Sequence, residues 1–250
     1  MQIQLVRHAT LLIQVNTKRI LLDPMLCTAG EMPPIENSTN DRRNPLVELP
    51  ISLEELFPVD AVVITHLHRD HFDHTAIKVI PKHTTILCQP ADEPKIKELG
   101  FHRVSVVDHT VEWEGCRIIR TSGRHGTGEI GERMGVVSGF MFIVESEPRL
   151  YIAGDTIYCE EVEQALDTYE PDIVVVNAGA AQFASGSPIT MTAQDVISVC
   201  RRSKAPHIVA VHMESINHCL ETREQLKHLV WDSGYRDRIK IPSDGEVLVF

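Results

Sequence analysis

The sequence predicts an α/β fold in a single domain spanning residues 1–250. Three observations carry this. From Ala61 onward, compact β-branched runs alternate with segments of helical spacing, the pattern of a largely parallel sheet flanked by helices. Before Ala61 the chain is strand-rich. Across its 250 residues, 43% are hydrophobic and 24% charged, with no repeat, low-complexity tract or linker to divide them.

The elements follow in order. Ile3–Val6, Leu11–Val15 and Arg19–Leu22 are short apolar or alternating runs separated by polar breakers, as in a meander. The polar stretch Thr28–Pro50 contains four prolines. So long a structureless piece inside a compact domain is usually functional or disordered, and a lid is the expectation. Leu53–Phe57 suits a helical turn, and Ala61–Thr65 (AVVIT) a buried strand. Ile86–Gln89 and Val104–Val107 read as strands around a helix at Glu93–Leu99 that Gly100 ends. Strands are expected at Cys116–Thr121, Gly139–Glu145, Leu150–Ala153, Asp172–Val176, His207–Val211 and Glu246–Phe250. Helices are expected at Glu160–Tyr169, at Thr192–Arg202 with Thr192 as cap, and at Thr222–Trp231, where Thr222 and Gln225 have capping-box spacing.

Composition excludes several functions. The net charge of −11 and the lack of a dense Lys/Arg stripe argue against nucleic acid; the Arg42–Arg43 doublet is too small to neutralise phosphates. No apolar run approaches the roughly 18 residues of a membrane span. The opening MQIQLVRHATLLIQV lacks the basic and apolar regions of a signal peptide. Six cysteines, Cys27, Cys88, Cys116, Cys159, Cys200 and Cys219, form no CxxC pair and read as thiols of a reduced compartment. A cytoplasmic protein is expected.

The strongest chemical signal is His66-Leu67-His68-Arg69-Asp70-His71. Alternate residues of an extended segment point the same way, so His66 and His68 can share one metal. The turn that follows can aim Asp70 and His71 at a position beside it. Neutral imidazole and carboxylate are normal ligands of Zn²⁺ and its first-row neighbours. As a solvated polar loop this density of histidine has little explanation.

Sites in open α/β sheets gather at the carboxyl ends of strands. His66 follows AVVIT, His125 follows CRIIRTSGR, Asp155 follows RLYIAG, and His212 follows HIVAV. Taken singly, His125 or His212 is more often an ordinary core or surface histidine. Their recurrence past buried strands is what points to a common site.

HLHRDH, the histidine of SGRHG, the Gly154-Asp155-Thr156 triplet and the late strand-end histidine of AVHME together resemble the ordered motifs of the metallo-β-lactamase superfamily. The resemblance implies a four-layer αβ/βα sandwich. It also implies that His66, His68 and His125 hold one divalent metal, Asp70, His71 and His212 a second, and that Asp155 bridges them. Within the superfamily, RHATLLI, LLDP and INHCLETREQL are similar to the branch containing ascorbate-6-phosphate lactonase. Position 68 is His where the diiron oxygen-reducing members have Glu, which disfavours redox chemistry.

Two dications lower the pKa of a shared water from 15.7 toward roughly 7, so the expected activity is hydrolysis by a metal-bound hydroxide. Asp70 is assigned as ligand and proton acceptor, and His218 as proton donor to the leaving group. Asp23, at the end of ILLDP, is expected to orient a ligating histidine, although a turn-forming Asp before Pro24 reads equally well. His8, Asn217 and Arg124 are candidates for the pocket; a buried histidine, a helix-entry polar residue and a solvated charge are the plain readings. Arg69 could greet an anionic substrate. The expected substrate is a small anionic metabolite such as a phosphosugar lactone. The alternatives are a small phosphodiester and a non-catalytic metal-binding module. Zn²⁺, Mn²⁺ and Fe²⁺ all suit an all-N/O shell. Oligomeric state is left open.

Overall fold

The computed structural model of the protein describes all residues, Met1–Phe250. The first sheet contains β1 (Gln2–Arg7), β2 (Thr10–Val15), β3 (Lys18–Leu22), β4 (Ala61–Ile64), β5 (Thr85–Cys88) and β6 (Arg103–Val106). The second contains β7 (Thr110–Trp113), β8 (Cys116–Ser122), β9 (Ser138–Val144), β10 (Leu150–Ile152), β11 (Ile173–Asn177), β12 (His207–Val211) and β13 (Ile239–Lys240). Finally β14 (Val247–Val249) returns to the first sheet, so the orders are β14-β1-β2-β3-β4-β5-β6 and β13-β12-β11-β10-β9-β8-β7. Each sheet is antiparallel at one side and parallel at the other: β3 to β6 run parallel, as do β10 to β13.

The helices are α1 (Leu53–Leu56), α2 (His74–Val79), α3 (Glu93–Glu98), α4 (Gly128–Met134), α5 (Glu160–Tyr169), α6 (Ala193–Arg202) and α7 (Arg223–Trp231). Strand alternation sorts the core into layers. Ala61 and Val63 of β4 meet Phe140, Ile152, Val175 and Val211 between the sheets. Val62 and Ile64 face the other way, onto Leu56, Ala76 and Ile96. In the second sheet Val174, Val176 and Ile208 pack outward on Val162, Leu166, Val196 and Leu226. The result is the four-layer αβ/βα sandwich. Runs such as AVVI and IVVVN are continuously apolar because both of their faces are covered. No helix is long and apolar enough to cross a membrane.

Caps stand where expected. Thr222 with Gln225 forms a capping box on α7, and Thr192 with Asp195 one on α6. Four elements were not expected: β7, β13, α2 and α4. All are short, and none has a strong period. Only Ala76 of α2 is buried and nothing in α4 is, so neither helix carries a legible apolar stripe.

The Thr28–Pro50 stretch is a strap tied down along its length. Met32 and Asn44 exchange backbone hydrogen bonds, and Leu46 N–H donates to Ser215 O. The fully buried Arg7 donates to Val47 O, Met25 O and Cys27 O. Asp73 accepts from Leu26 N and Cys27 N while capping α2 through Ala76 N.

Candidate metal centre

The two parallel strand groups end at the same place. Thr65 and His66 leave β4, Asp155 follows β10, Asn177 closes β11, and His212 leaves β12. His125 follows β8, and His8 sits in the tight β1–β2 turn. His8 and His212, with Asp23 just past β3, take left-handed backbone conformations at φ 61°, 69° and 43°. Non-glycine residues adopt that region at a cost, and such strain gathers at functional sites. The approach to Asp155 requires Gly154, with φ 72°, because a Cβ there would lie 2.6 Å from Ser138 O.

The ring and carboxylate atoms form three overlapping groups: His66, His68 and His125; His8, Asp70, His71 and His212; and His66, His71 and Asp155. Asp155 lies centrally. Its Oδ2 is 3.3 Å from His71 Nε2, 3.5 Å from His125 Nε2 and 3.9 Å from His66 Nε2, and its Oδ1 is 3.2 Å from His212 Nε2. Asp70 Oδ2 lies 3.7 Å from both His71 Nε2 and His212 Nε2.

Four of the histidines, His66, His71, His125 and His212, are oriented from behind through their other nitrogen. His71 Nδ1 is 2.8 Å from Asp23 Oδ2, and Asp23 also accepts from Thr65 N and Thr65 Oγ1. His66 Nδ1 meets Thr65 Oγ1 at 3.0 Å, His125 Nδ1 donates to Ile189 O at 2.8 Å, and His212 Nδ1 lies 3.6 Å from Cys219 Sγ. Asn177 Nδ2 donates to Asp155 Oδ1 at 2.6 Å. The inward nitrogens His66 Nε2, His71 Nε2 and His212 Nε2 are buried with no hydrogen-bond partner. Buried polar atoms are rarely left so. Three convergent orphans beside two carboxylates fit a divalent cation of the N/O-binding kind, and these His and Asp residues are positioned to bind metal.

Electrostatics agree. Burial alone would raise the Asp70 and Asp155 carboxyls, but the surrounding imidazoles, His71 foremost for Asp70 and His212 for Asp155, hold both well below the usual range. Burial likewise opposes charge on His71, yet Asp155, Asp23 and Asp70 together raise it well above an ordinary histidine. The cluster therefore draws positive charge, as a proton or a metal ion.

With this geometry in place, similarity to known proteins becomes informative. Residues 18–213 match the beta-lactamase superfamily domain family. The chain belongs to that superfamily. It is also 38% identical to the UPF0173 protein YddR of Bacillus subtilis, covering 100% of both chains, and so belongs to the UPF0173 family. It is 26% identical to a UPF0173 metal-dependent hydrolase of Thermoplasma acidophilum over 66% of this chain and 65% of that one. Among solved structures, an isothiocyanate hydrolase from Delia radicum gut bacteria is 36% identical, with TM-score 0.95 over 100% of this chain and 99% of that one. A possible metal-dependent hydrolase from Veillonella parvula is 32% identical, with TM-score 0.96 over the same shares. This member of the superfamily is a metal-dependent hydrolase. The narrower likeness to the ascorbate-6-phosphate lactonase branch finds no support in these relatives.

The remaining sequence candidates divide. Asp23 stands directly behind His71. His8 is fully buried, its Nε2 3.1 Å from Asp70 Oδ2 and its ring 3.6 Å from that of His212. Burial chiefly, with His212 adding to it, pulls the His8 imidazole down to about 3, so it is neutral. His218 is 6% exposed, with Nδ1 unpartnered, and burial lowers it to about 4.

Asn217 has a different job from the one expected. Its Oδ1 accepts from Ile35 N and Asn44 Nδ2, and its Nδ2 donates to Asn40 O, so it fastens the 28–50 strap. The Arg124 side chain donates to Glu161 at 2.8 Å on the exposed side, and its backbone N–H donates to Thr156 Oγ1. Arg69 donates to Pro33 O and Pro34 O. Neither arginine reaches the cluster.

Sequence reasoning missed Thr65, Asn177, Asp73 and Arg7. Thr65 and Asn177 end strands of the site, so the strand-end rule extended to all polar types would have found them. Arg7 and Asp73 carry no such signal, since their partners are backbone groups distant in sequence.

Proposed function

We propose that His66, His68, Asp70, His71, His125, Asp155 and His212 are the metal ligands of a hydrolase acting on a small, uncharged electrophile, with an isothiocyanate as the substrate class. The observation that carries the metal assignment is the set of three buried, unpartnered Nε2 atoms aimed at Asp155. One or two divalent ions held there, Zn²⁺ or Mn²⁺ first and Fe²⁺ next, would supply Lewis acidity and lower the pKa of water. The isothiocyanate class is supported by the 36% identical hydrolase that matches over the whole chain.

Such a substrate reacts in two balanced stages. The water oxygen bonds to the central carbon of R–N=C=S, and the C=N electron pair moves to nitrogen, which takes a proton. The C–N bond of the resulting thiocarbamic acid then breaks, nitrogen keeps the pair and takes the thiol proton, and an amine and carbonyl sulfide leave. Asp70, ionised and held by His8, accepts the proton of water. His218 is neutral at pH 7, so it assists through the N–H of a neutral imidazole and not as an imidazolium acid. Thr65, Asp23 and Asn177 hold the reacting side chains in register.

A phosphosugar lactone or small phosphodiester asks for a cation beside the metals. Arg69 and Arg124, the two arginines that could serve, are engaged elsewhere, which supports ranking both readings second. The two sheets share one core, which supports a single domain over residues 1–250. Six cysteines without a disulfide support a reduced, cytoplasmic setting.

The test is amine release from benzyl isothiocyanate by protein stripped and reloaded with Zn²⁺ or Mn²⁺. A phosphosugar lactone and an aryl phosphodiester run in parallel, with Asp155→Ala as blank. Amine release that Asp155→Ala abolishes supports the reading. Acid release from the lactone alone returns the lactonase reading. Silence on all three with metal bound leaves a non-catalytic metal-binding module.

A further inference from the structure

Helix α4 contributes no buried residue to the fold, yet it packs tightly against the loop that carries His125. A Cβ on Gly131 would lie 2.8 Å from Gly126 O, so helix and ligand loop are in direct contact. Ile130 and Met134, one turn apart and so on one face, have no core to enter. They instead form, with Phe183, the apolar wall of a cleft of about 290 Å³, with the exposed Glu129 and Arg133 at its rim. That size is close to the ~300 Å³ lower end for small-molecule pockets.

The cleft adjoins the metal centre through His218. The Phe183 and His218 rings are 6.1 Å apart, and Gln182 N–H donates to His218 O. The next residue, Cys219, has its Sγ 3.6 Å from His212 Nδ1. A buried histidine with an unpartnered Nδ1 therefore joins the apolar wall to the segment beside His212. Gly186, at φ 104°, lets the chain pack closely on Ile130, since a Cβ there would strike Ile130 Cδ1 at 2.5 Å. The rim carries one charge of each sign and so gives no net pull on an anion.

We propose that this cleft binds an apolar aryl or arylalkyl substituent of the substrate, and that Phe183, Ile130 and Met134 determine selectivity for it. The proposal rests on the hydrolase reading above. The substituent lies against the α4 face while His218 faces the polar group that joins it to the reacting carbon.

Two readouts on the metal-loaded protein separate the proposal from that reading. In calorimetry with inert neutral probes, phenethylurea should bind about tenfold more tightly than methylurea, and Phe183→Ala and Met134→Ser should each erase most of that preference. In turnover, Phe183→Ala should raise KM for phenethyl isothiocyanate about tenfold and leave methyl isothiocyanate within about twofold, with kcat little changed. Circular dichroism and metal content equal to wild type show that the variants are folded. No preference between the ureas in wild type, or a preference that both variants keep, overturns the proposal. A urea preference without isothiocyanate turnover keeps the cleft and discards the substrate class. Turnover with equal KM for the two isothiocyanates keeps the substrate class and discards the cleft.

Discussion

Strands β10, β11 and β12 are polar at both ends, but the two ends are built differently. At the carboxyl ends Asp155, Asn177 and His212 are at most 4% exposed, and their neighbours leave three ring nitrogens without partners. At the amino ends Arg149 pairs with Asp172, Arg202 with Asp167 and Lys204 with Glu170, around a wider cavity of about 450 Å³. Those charges are about half exposed or more and neutralise one another. Surface pairs of this kind contribute little, because water solvates each partner nearly as well. Cavity size thus points to the wrong end. Buried polar atoms without partners point to the right one.

The sharpest break between the ends is expected from Asp155→Ala. It should cut turnover by more than ~100-fold, beyond what losing an orienting partner costs, and remove bound metal in elemental analysis. Loss of an orienting residue should be milder. Asp23→Asn or Asn177→Ala should weaken metal binding by roughly 10–100-fold in competition with a chelator.

Acid should also separate the ends. His218 and His8 titrate at about 4 and about 3 when folded, against ~6.5 when unfolded. Below pH 6.5 the unfolded chain takes protons that the folded chain refuses. Their contribution is therefore complete above 6.5 and lost between 6.5 and 3, on the order of several kcal/mol, up to about 8, in total. His71, raised when folded, acts oppositely, and its stabilisation fades as pH rises above 6.5 toward its folded value. Denaturant melts of metal-free protein at pH 7 and pH 4.5 should show the lower stability at pH 4.5. Equal stability would mean these imidazoles are not buried and neutral.

Asn217→Ala should cost about 1–3 kcal/mol and speed proteolytic cleavage within residues 28–50, since three strap contacts lose their partner. The smallest effect belongs to the amino ends: Lys204→Ala should leave activity unchanged and Tm within ~2 °C.

Much of the carboxyl end was legible from the chain. HLHRDH follows a continuous apolar strand, and His125, Asp155 and His212 each follow another, so residue type and position coincide. Asp23 was readable for the same reason, as a carboxylate ending β3. For Asn217 and Arg124 the sequence left a pocket role and a plain role open, because nearness to His212 and His125 says nothing about rotamer: one turns to strap backbone, the other to Glu161. Helix α4 is not legible because its only apolar residues, Ile130 and Met134, are too few to form a stripe. The ties of the 28–50 strap are not legible in the sequence, since they run to Arg7, Ser215 and Asn217, all remote along the chain. The amino-end ion pairs had no sequence signature either, being meetings of surface charges from separate helices and loops.

The most direct test of the central claim is anomalous diffraction from crystals of metal-reloaded protein at the Zn and Mn edges. The account predicts one or two strong peaks within bonding distance of His66 Nε2, His71 Nε2, His212 Nε2 and Asp155. An empty cluster in protein loaded with metal, or peaks only among the charges at the amino ends, would contradict it.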